Sequence, residues 1–129
     1  MTDIGKTDWK IFKELRELAL ERFCSRVLDE IARIGSDQAK SKHERYLAIC
    51  RLIQERDREI DPIFDTLRRS SAVSQLCAFR VRELITEEEF KSLSAELRER
   101  IDNLIRIFNQ PLEVVDDEVV DENDDANPR

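Results

Sequence analysis

The fold is decided by one stretch near the start of the chain, residues 7–35, TDWKIFKELRELALERFCSRVLDEIARIG. Thr7 is a good N-cap residue, Asp8 places a negative charge in the first turn, and Gly35 is a typical helix terminator. We therefore expect a helix over residues 8–34, about 40 Å long at 1.5 Å per residue. Its apolar residues recur every three or four positions, which keeps one face apolar, and they are Phe12, Leu15, Ala19, Phe23, Val27, Ile31 and Ile34. Leu18, Leu20, Cys24 and Leu28 widen that face.

A second apolar stripe runs through residues 38–85 and admits two interpretations. A helix can start at Ser36 or Asp37, or at a capping box formed by Ser41 and Glu44, in which the two residues satisfy each other's free backbone donors. Asp61-Pro62 also reads as a helix start, yet the apolar spacing keeps its phase across it. One kinked helix and two separate helices both remain open, since an interior proline costs about 3 kcal/mol. The stripe comprises Tyr46, Cys50, Ile53, Ile60, Phe64, Leu67, Ser71, Ser74, Ala78, Val81 and Ile85.

The last third of the ordered sequence predicts two shorter helices. Thr86 and Glu89 form another capping box, which begins a short helix before Phe90. Ser92 or Ser94 can cap the next helix, predicted over residues 94–108. The residues expected to be largely buried in the whole chain are Phe12, Leu15, Phe23, Ile31, Ile53, Ile60, Phe64, Leu67, Val81, Leu97, Ile101 and Leu104.

These patterns predict an all-α protein, an elongated antiparallel bundle of three to four amphipathic helices. Two glycines and three prolines cannot supply the turns of a sheet fold. We expect a flexible N-terminus at residues 1–7, a bundle domain at 8–110 and a disordered acidic tail at 111–129. The narrow, heptad-like stripes also leave a coiled-coil homodimer open.

The net charge of −7 is concentrated in the tail. Residues 112–129 hold eight of the 29 acids and one of the 22 bases, which leaves 21 of each in the remaining residues. A neutral body gives no broad electrostatic footprint for nucleic acid, so this partner is disfavoured without being excluded.

The sequence shows no constellation of catalytic, cofactor-binding or metal-ligating residues. Its only histidine, His43, is expected to be exposed in a first helical turn beside cationic residues. The single cysteines Cys24, Cys50 and Cys77 form no Cys-x-x-Cys pair and are expected to pack in the core. We therefore predict a protein that is not an enzyme and binds no cofactor or metal. The lone thiols favour a reducing compartment, and with neither a signal peptide nor a membrane span expected, the prediction is cytoplasmic.

Two features are candidates for partner binding. Residues 67–82 carry Arg68, Arg69, Arg80 and Arg82 and no acid, which suits docking of an anionic partner. The interleaved tail residues Val114, Val115, Asp116, Asp117, Glu118, Val119 and Val120 suit an extended segment that lies in a partner's groove or folds back over those arginines.

The function predicted from these features is a non-catalytic protein–protein interaction module, such as a small helical adaptor, chaperone or regulator. The alternative is a nucleic-acid-linked regulator, in which the arginine-rich helix contacts phosphates and the acidic tail competes for it.

Overall fold

The computed structural model describes residues 4–64 and 66–109, which form five α-helices. They are α1 (Lys6–Gly35), α2 (Lys42–Phe64), α3 (Arg69–Val81), α4 (Glu87–Lys91) and α5 (Ala95–Phe108). These residues contain no strand, so the predicted all-α class is confirmed. The acidic tail, including the candidate segment from Val114 to Val120, lies outside the described residues.

The folded body begins earlier than the sequence predicts. Ile4 is buried in the core, and α1 starts at Lys6 with Gly5 at its N-cap, although Thr7 was the expected cap. Ile4 and the start of α1 therefore lie within residues 1–7, the range that the sequence assigns to a flexible N-terminus. Asp8 is buried, and its carboxylate accepts hydrogen bonds from the backbone N–H and the hydroxyl of Ser94, at 2.9 and 2.5 Å, which offset the cost of removing it from water. This contact joins the first turn of α1 to the start of α5.

Residues 38–85 form two helices, and the break lies later than Asp61-Pro62. The Ser41 and Glu44 capping box is present: the backbone N–H of each residue donates to the side chain of the other, at 2.8 and 3.0 Å. Pro62 lies inside the last turn of α2, where a missing backbone N–H removes a single intrahelical bond. Helix α2 ends at Phe64 and α3 begins at Arg69. The prediction of helix throughout residues 38–85 is therefore wrong at residues 66–68, and it is also wrong at residues 38–41 and 82–85, which lie outside the α-helices.

Stacked aromatic rings join α1, α2 and α3 at the centre of the core. The ring centroids of Phe12 and Phe79 lie 6.2 Å apart, and those of Phe79 and Phe64 lie 5.4 Å apart. Helix α3 presents Ala72, Val73, Leu76 and Phe79 to this core.

Three residues of the predicted core are exposed instead: Ile53, Leu67 and Val81. Four more, Ile31, Ile60, Phe64 and Leu104, are half-buried, whereas Phe12, Leu15, Phe23, Leu97 and Ile101 are buried as predicted. The break before α3 resets the rotation of the chain, so the stripe, which stays in phase along the sequence, does not keep Leu67 and Val81 on the core face. For the same reason Ser74, predicted on the core side, faces solvent. Ile53 lies before this break and is exposed because the core reaches back along α2 only to Ile60.

The α4 segment is fixed by an arginine from α1. Arg22 donates to both carboxylate oxygens of Glu89, at 2.7 and 2.8 Å, and to the carbonyl oxygen of Leu84 at 2.9 Å. Glu89 also closes the predicted capping box with Thr86. The hydrogen bonds from Arg22 are the main reason that the pKa of Glu89 falls from 4.5 to about 2.

Truncation should separate the true core from the predicted one. Ile101 is 0% exposed, so Ile101→Ala should lower the free energy of unfolding by about 2–5 kcal/mol. Leu67 is 51% exposed, so Leu67→Ala should cost less than about 1 kcal/mol. Urea denaturation followed by circular dichroism measures both, and equal costs would contradict the described core.

The Arg22–Glu89 pair should make stability depend on pH in acid. Because the folded-state pKa of Glu89 is depressed, its contribution is present above the unfolded pKa and is lost as pH falls from about 5 towards about 2. Glu89→Gln should therefore destabilise the protein at pH 7, and its difference from wild type should shrink towards pH 2. Glu88→Gln, at an exposed neighbouring position, is the control in the same urea titrations. A deficit for Glu89→Gln that stays constant with pH would contradict the assignment.

Candidate functional site: an apolar groove on a two-helix arm

Helices α1 and α2 extend beyond the shared core as a two-helix arm. At one end of α3, the Arg69 guanidinium lies 5.7 Å from the Trp9 ring, and at the other end Arg26 donates to the carbonyl oxygen of Arg82. The core cluster extends along α1 only to Val27 and along α2 only back to Ile60. Residues 28–59, here called the arm, are therefore two helices packed mainly on each other, with Leu52 buried between them.

The end of the arm that joins the core is here called its root. One side of the root carries an apolar groove, here called the arm groove. It is lined by Phe23, Cys24, Val27 and Leu28 from α1 and by Ile53, Arg56, Asp57 and Ile60 from α2. Leu28 is 64% exposed and Ile53 is 42% exposed, although both are large and apolar. Tyr46, seven residues before Ile53 and so on the same side of α2, extends the apolar surface towards the arm's tip and is 64% exposed.

The opposite side of the arm's root is polar and braced by ion pairs. Arg56 donates to both carboxylate oxygens of Glu30 at 3.1 Å and to Glu59 at 2.6 Å. Glu59 also accepts from Arg82 at 3.3 Å, which ties α2 to the end of α3. The hydrogen bonds from Arg56 lower the pKa of Glu30. Arg56 reaches this network with its charged head, so only its aliphatic stem is available to line the arm groove.

The four candidate arginines have different neighbours and do not form one common cluster. Arg80 is bonded to Glu87 at 2.7 Å and stacks over the Phe90 ring at 3.9 Å. Arg82 pairs with Glu59, and Arg69 stacks over Trp9 at the other end of α3. Arg68 is exposed at the N-cap of α3, about 20 Å along the helix from Arg82.

The sequence predicts Ile53 in the core, and this prediction is wrong because Ile53 is exposed in the arm groove. Tyr46 lies on the predicted apolar stripe, and Leu28 widens the apolar face of α1. The width of this apolar face was the sequence feature that could have indicated the groove. When an apolar face is broader than the helices that cover it, some of its apolar residues stay exposed. Cys24 is exposed and Cys50 and Cys77 are half-buried, so none of the three thiols is fully in the core. His43 is exposed in the first turn of α2, as predicted.

Within residues 4–64 and 66–109, no helix is both long enough and apolar enough to cross a bilayer. Among the same residues, no group of three or more histidine, cysteine or acidic side chains is placed to hold a metal ion. Comparison of the chain with protein-family models, curated proteins and solved structures gave no match.

Thiol modification should report directly on the arm groove. Cys24 lines it and is exposed, whereas burial raises the pKa of the Cys77 thiol and so lowers its thiolate fraction. At pH 8, N-ethylmaleimide should modify Cys24 well before Cys77, as measured by mass spectrometry of the proteolysed protein. Equal rates at the two positions would contradict the described burial.

Proposed function

We propose that this chain is a non-catalytic protein-interaction module that holds an amphipathic helix of a partner in the arm groove. The observation that carries the proposal is the exposure of two large apolar side chains, Leu28 and Ile53, on facing lips of one groove. Fully burying an exposed side chain of this size is worth roughly 1.5–3 kcal/mol. Leu28 and Ile53 are 64% and 42% exposed, so about half of that gain remains available at each position. An adaptor, chaperone or regulator can use this gain to select a partner.

A helix is the partner element that best fits the arm groove. The groove runs between two helices, and the residues along its two edges recur at helical spacing. The spacing is four residues from Cys24 to Leu28 on α1 and seven from Ile53 to Ile60 on α2. A helix with apolar residues at positions i, i+3, i+4 and i+7 would interdigitate with these rows. It would also supply the third helical layer that the arm lacks.

The nucleic-acid alternative has less support from the same structure. Arg80 and Arg82 face Glu87 and Glu59, so their positive charges are partly neutralised within the fold. A phosphate backbone would have to compete with these carboxylates for the same guanidinium groups.

Photocrosslinking at one position inside the arm groove and one outside it tests the proposed function. Leu18 does not line the arm groove, and its exposure of 41% matches the 42% of Ile53, the position used for the second comparison. A photoreactive residue in place of Leu28 should form a discrete protein adduct in the cells that make this chain. The same residue in place of Leu18 should not form that adduct.

An aspartate substitution supplies the second comparison. Ile53→Asp should abolish the adduct formed at position 28, because it replaces one of the two exposed apolar side chains of the arm groove with a charge that the bound helix would bury. Leu18→Asp, which adds the same charge outside the groove, should leave the adduct unchanged. Circular dichroism confirms that both variants are folded. Identical adducts from positions 18 and 28, or an adduct that survives Ile53→Asp, would overturn the proposal.

A further inference from the structure

We infer that the partner helix held in the arm groove is cationic, with a lysine or arginine at the border of its apolar face that pairs with Asp57. Asp57 lies four residues after Ile53, on the same side of α2, and lines the arm groove. This inference rests on the proposed function of the arm groove and names the chemistry of the partner.

The carboxylate of Asp57 has no counter-ion within the fold. Among the residues that the structure describes, none forms a hydrogen bond or an ion pair with it. The residues three and four positions away along α2, which are its neighbours on the helix surface, include no base. They are Ile53, Gln54, Ile60 and Asp61. The α1 residues that line the same groove are all uncharged.

Arg56 is the single basic residue among those that line the arm groove, and its charge is used elsewhere. Its guanidinium donates to both carboxylate oxygens of Glu30 at 3.1 Å and to Glu59 at 2.6 Å, on the opposite side of the arm's root. These two carboxylates neutralise it. The side that receives a partner therefore presents the apolar residues together with the negative charge of Asp57.

A helix that covers Leu28 also covers Asp57. The bond between Arg56 and Glu30 sets the register of the two antiparallel helices. Leu28 lies two residues from Glu30 and Asp57 one residue from Arg56, both towards the core, so they face each other across the groove at similar levels. Burying the exposed apolar surface of Leu28 thus brings partner atoms over the carboxylate.

This geometry makes the groove selective for charge. Asp57 is exposed, so water solvates its carboxylate in the free chain. An apolar residue placed over it would remove that water and leave a charge without a partner, which is costly. A lysine or arginine there would form an ion pair in partly desolvated surroundings, where the pair is stronger than on an open surface. The groove should therefore accept cationic helices and reject uncharged or acidic ones.

The acidic tail of this chain does not have the chemistry that the groove requires. Residues 112–129 hold eight acids and a single base, Arg129 at the end. Their valines match the apolar residues of the groove, but the acids beside those valines would oppose Asp57. A peptide of this sequence is therefore a natural negative probe.

Designed peptides that differ only in charge test the inference on the full chain. Both are helices of about 18 residues, with leucine at positions i, i+3, i+4 and i+7. One carries lysine along the borders of this apolar face, and the other carries glutamate at the same positions. Fluorescence anisotropy in low salt measures their binding. The lysine peptide should bind the wild-type chain about tenfold or more tightly than the glutamate peptide.

Substitution at position 57 separates the groove from the net charge of the chain. Asp57→Lys should weaken the lysine peptide about tenfold and strengthen the glutamate peptide. Asp29→Lys is the matched control, because it makes the same change at an exposed residue of the arm that does not line the groove. It should change either affinity by less than about twofold. Lysine is a better helix former than aspartate, so both variants should fold, which circular dichroism checks.

Equal affinities of the two peptides for the wild-type chain would overturn the inference. So would equal effects of Asp57→Lys and Asp29→Lys, displacement of the lysine peptide by the peptide of residues 112–129, or no binding of either designed peptide at about 1 mM. The proposed function can fail separately. An adduct at position 28 that survives Asp57→Lys keeps the proposed function and removes only the cationic partner. Loss of the specific adduct at position 28 in the chain without Asp57→Lys removes the proposed function itself.

Discussion

Helix α1 has 30 residues and α3 has 13, and this difference in length governs how the surface is arranged. At 1.5 Å per residue, α3 covers about 20 Å of a helix about 45 Å long. Helix α2 runs back alongside α1. Among the described helices, the part of α1 beyond α3 therefore packs mainly against α2. A lone pair of helices has apolar surface that only a further layer can bury. The aromatic stack of Phe12, Phe64 and Phe79 lies where three helices meet, and the exposed apolar residues of the arm lie where only two do.

The two sides of the arm's root differ in how their side chains are satisfied. On one side, Arg56, Glu30, Glu59 and Arg82 satisfy one another and connect the arm to the end of α3. Arg26 reinforces this side by donating to two carbonyl oxygens just past α3. On the other side, the described residues form no comparable network of ion pairs, and Leu28 and Ile53 are exposed to solvent. The polar side therefore sets the direction of the arm, and the apolar side stays available.

Local sequence chemistry predicted most helix starts because caps act within a few residues. It was wrong at both ends of α1, where Thr7 and Gly35 lie inside the helix. The capping boxes at Ser41 and Thr86 and the cap at Ser94 all form as expected. Burial was harder to predict, because it depends on which helix covers which face. A stripe in constant phase from Tyr46 to Ile85 suggested one continuous core face, but the chain turns after Phe64. Nothing local to Ile53 reveals that the covering helices end short of it, and nothing local to Val81 reveals that the break before α3 turns it away from the core. The arm groove was therefore visible in the sequence only as an apolar face that was unusually wide.

A two-helix arm also has consequences for motion. The backbone amides of the arm are shielded from hydrogen exchange only by the packing of two helices on each other. The amides near Phe79 are shielded by the whole core. Segments of low contact density open at a lower free-energy cost than the global unfolding reaction. The arm should thus behave as a separate cooperative unit that frays from the turn at residues 36–41 inwards. Any molecule bound along the apolar side of the arm would stabilise its closed form, so the arm would open only together with the core. Binding and the local folding of the arm would then be linked in one equilibrium.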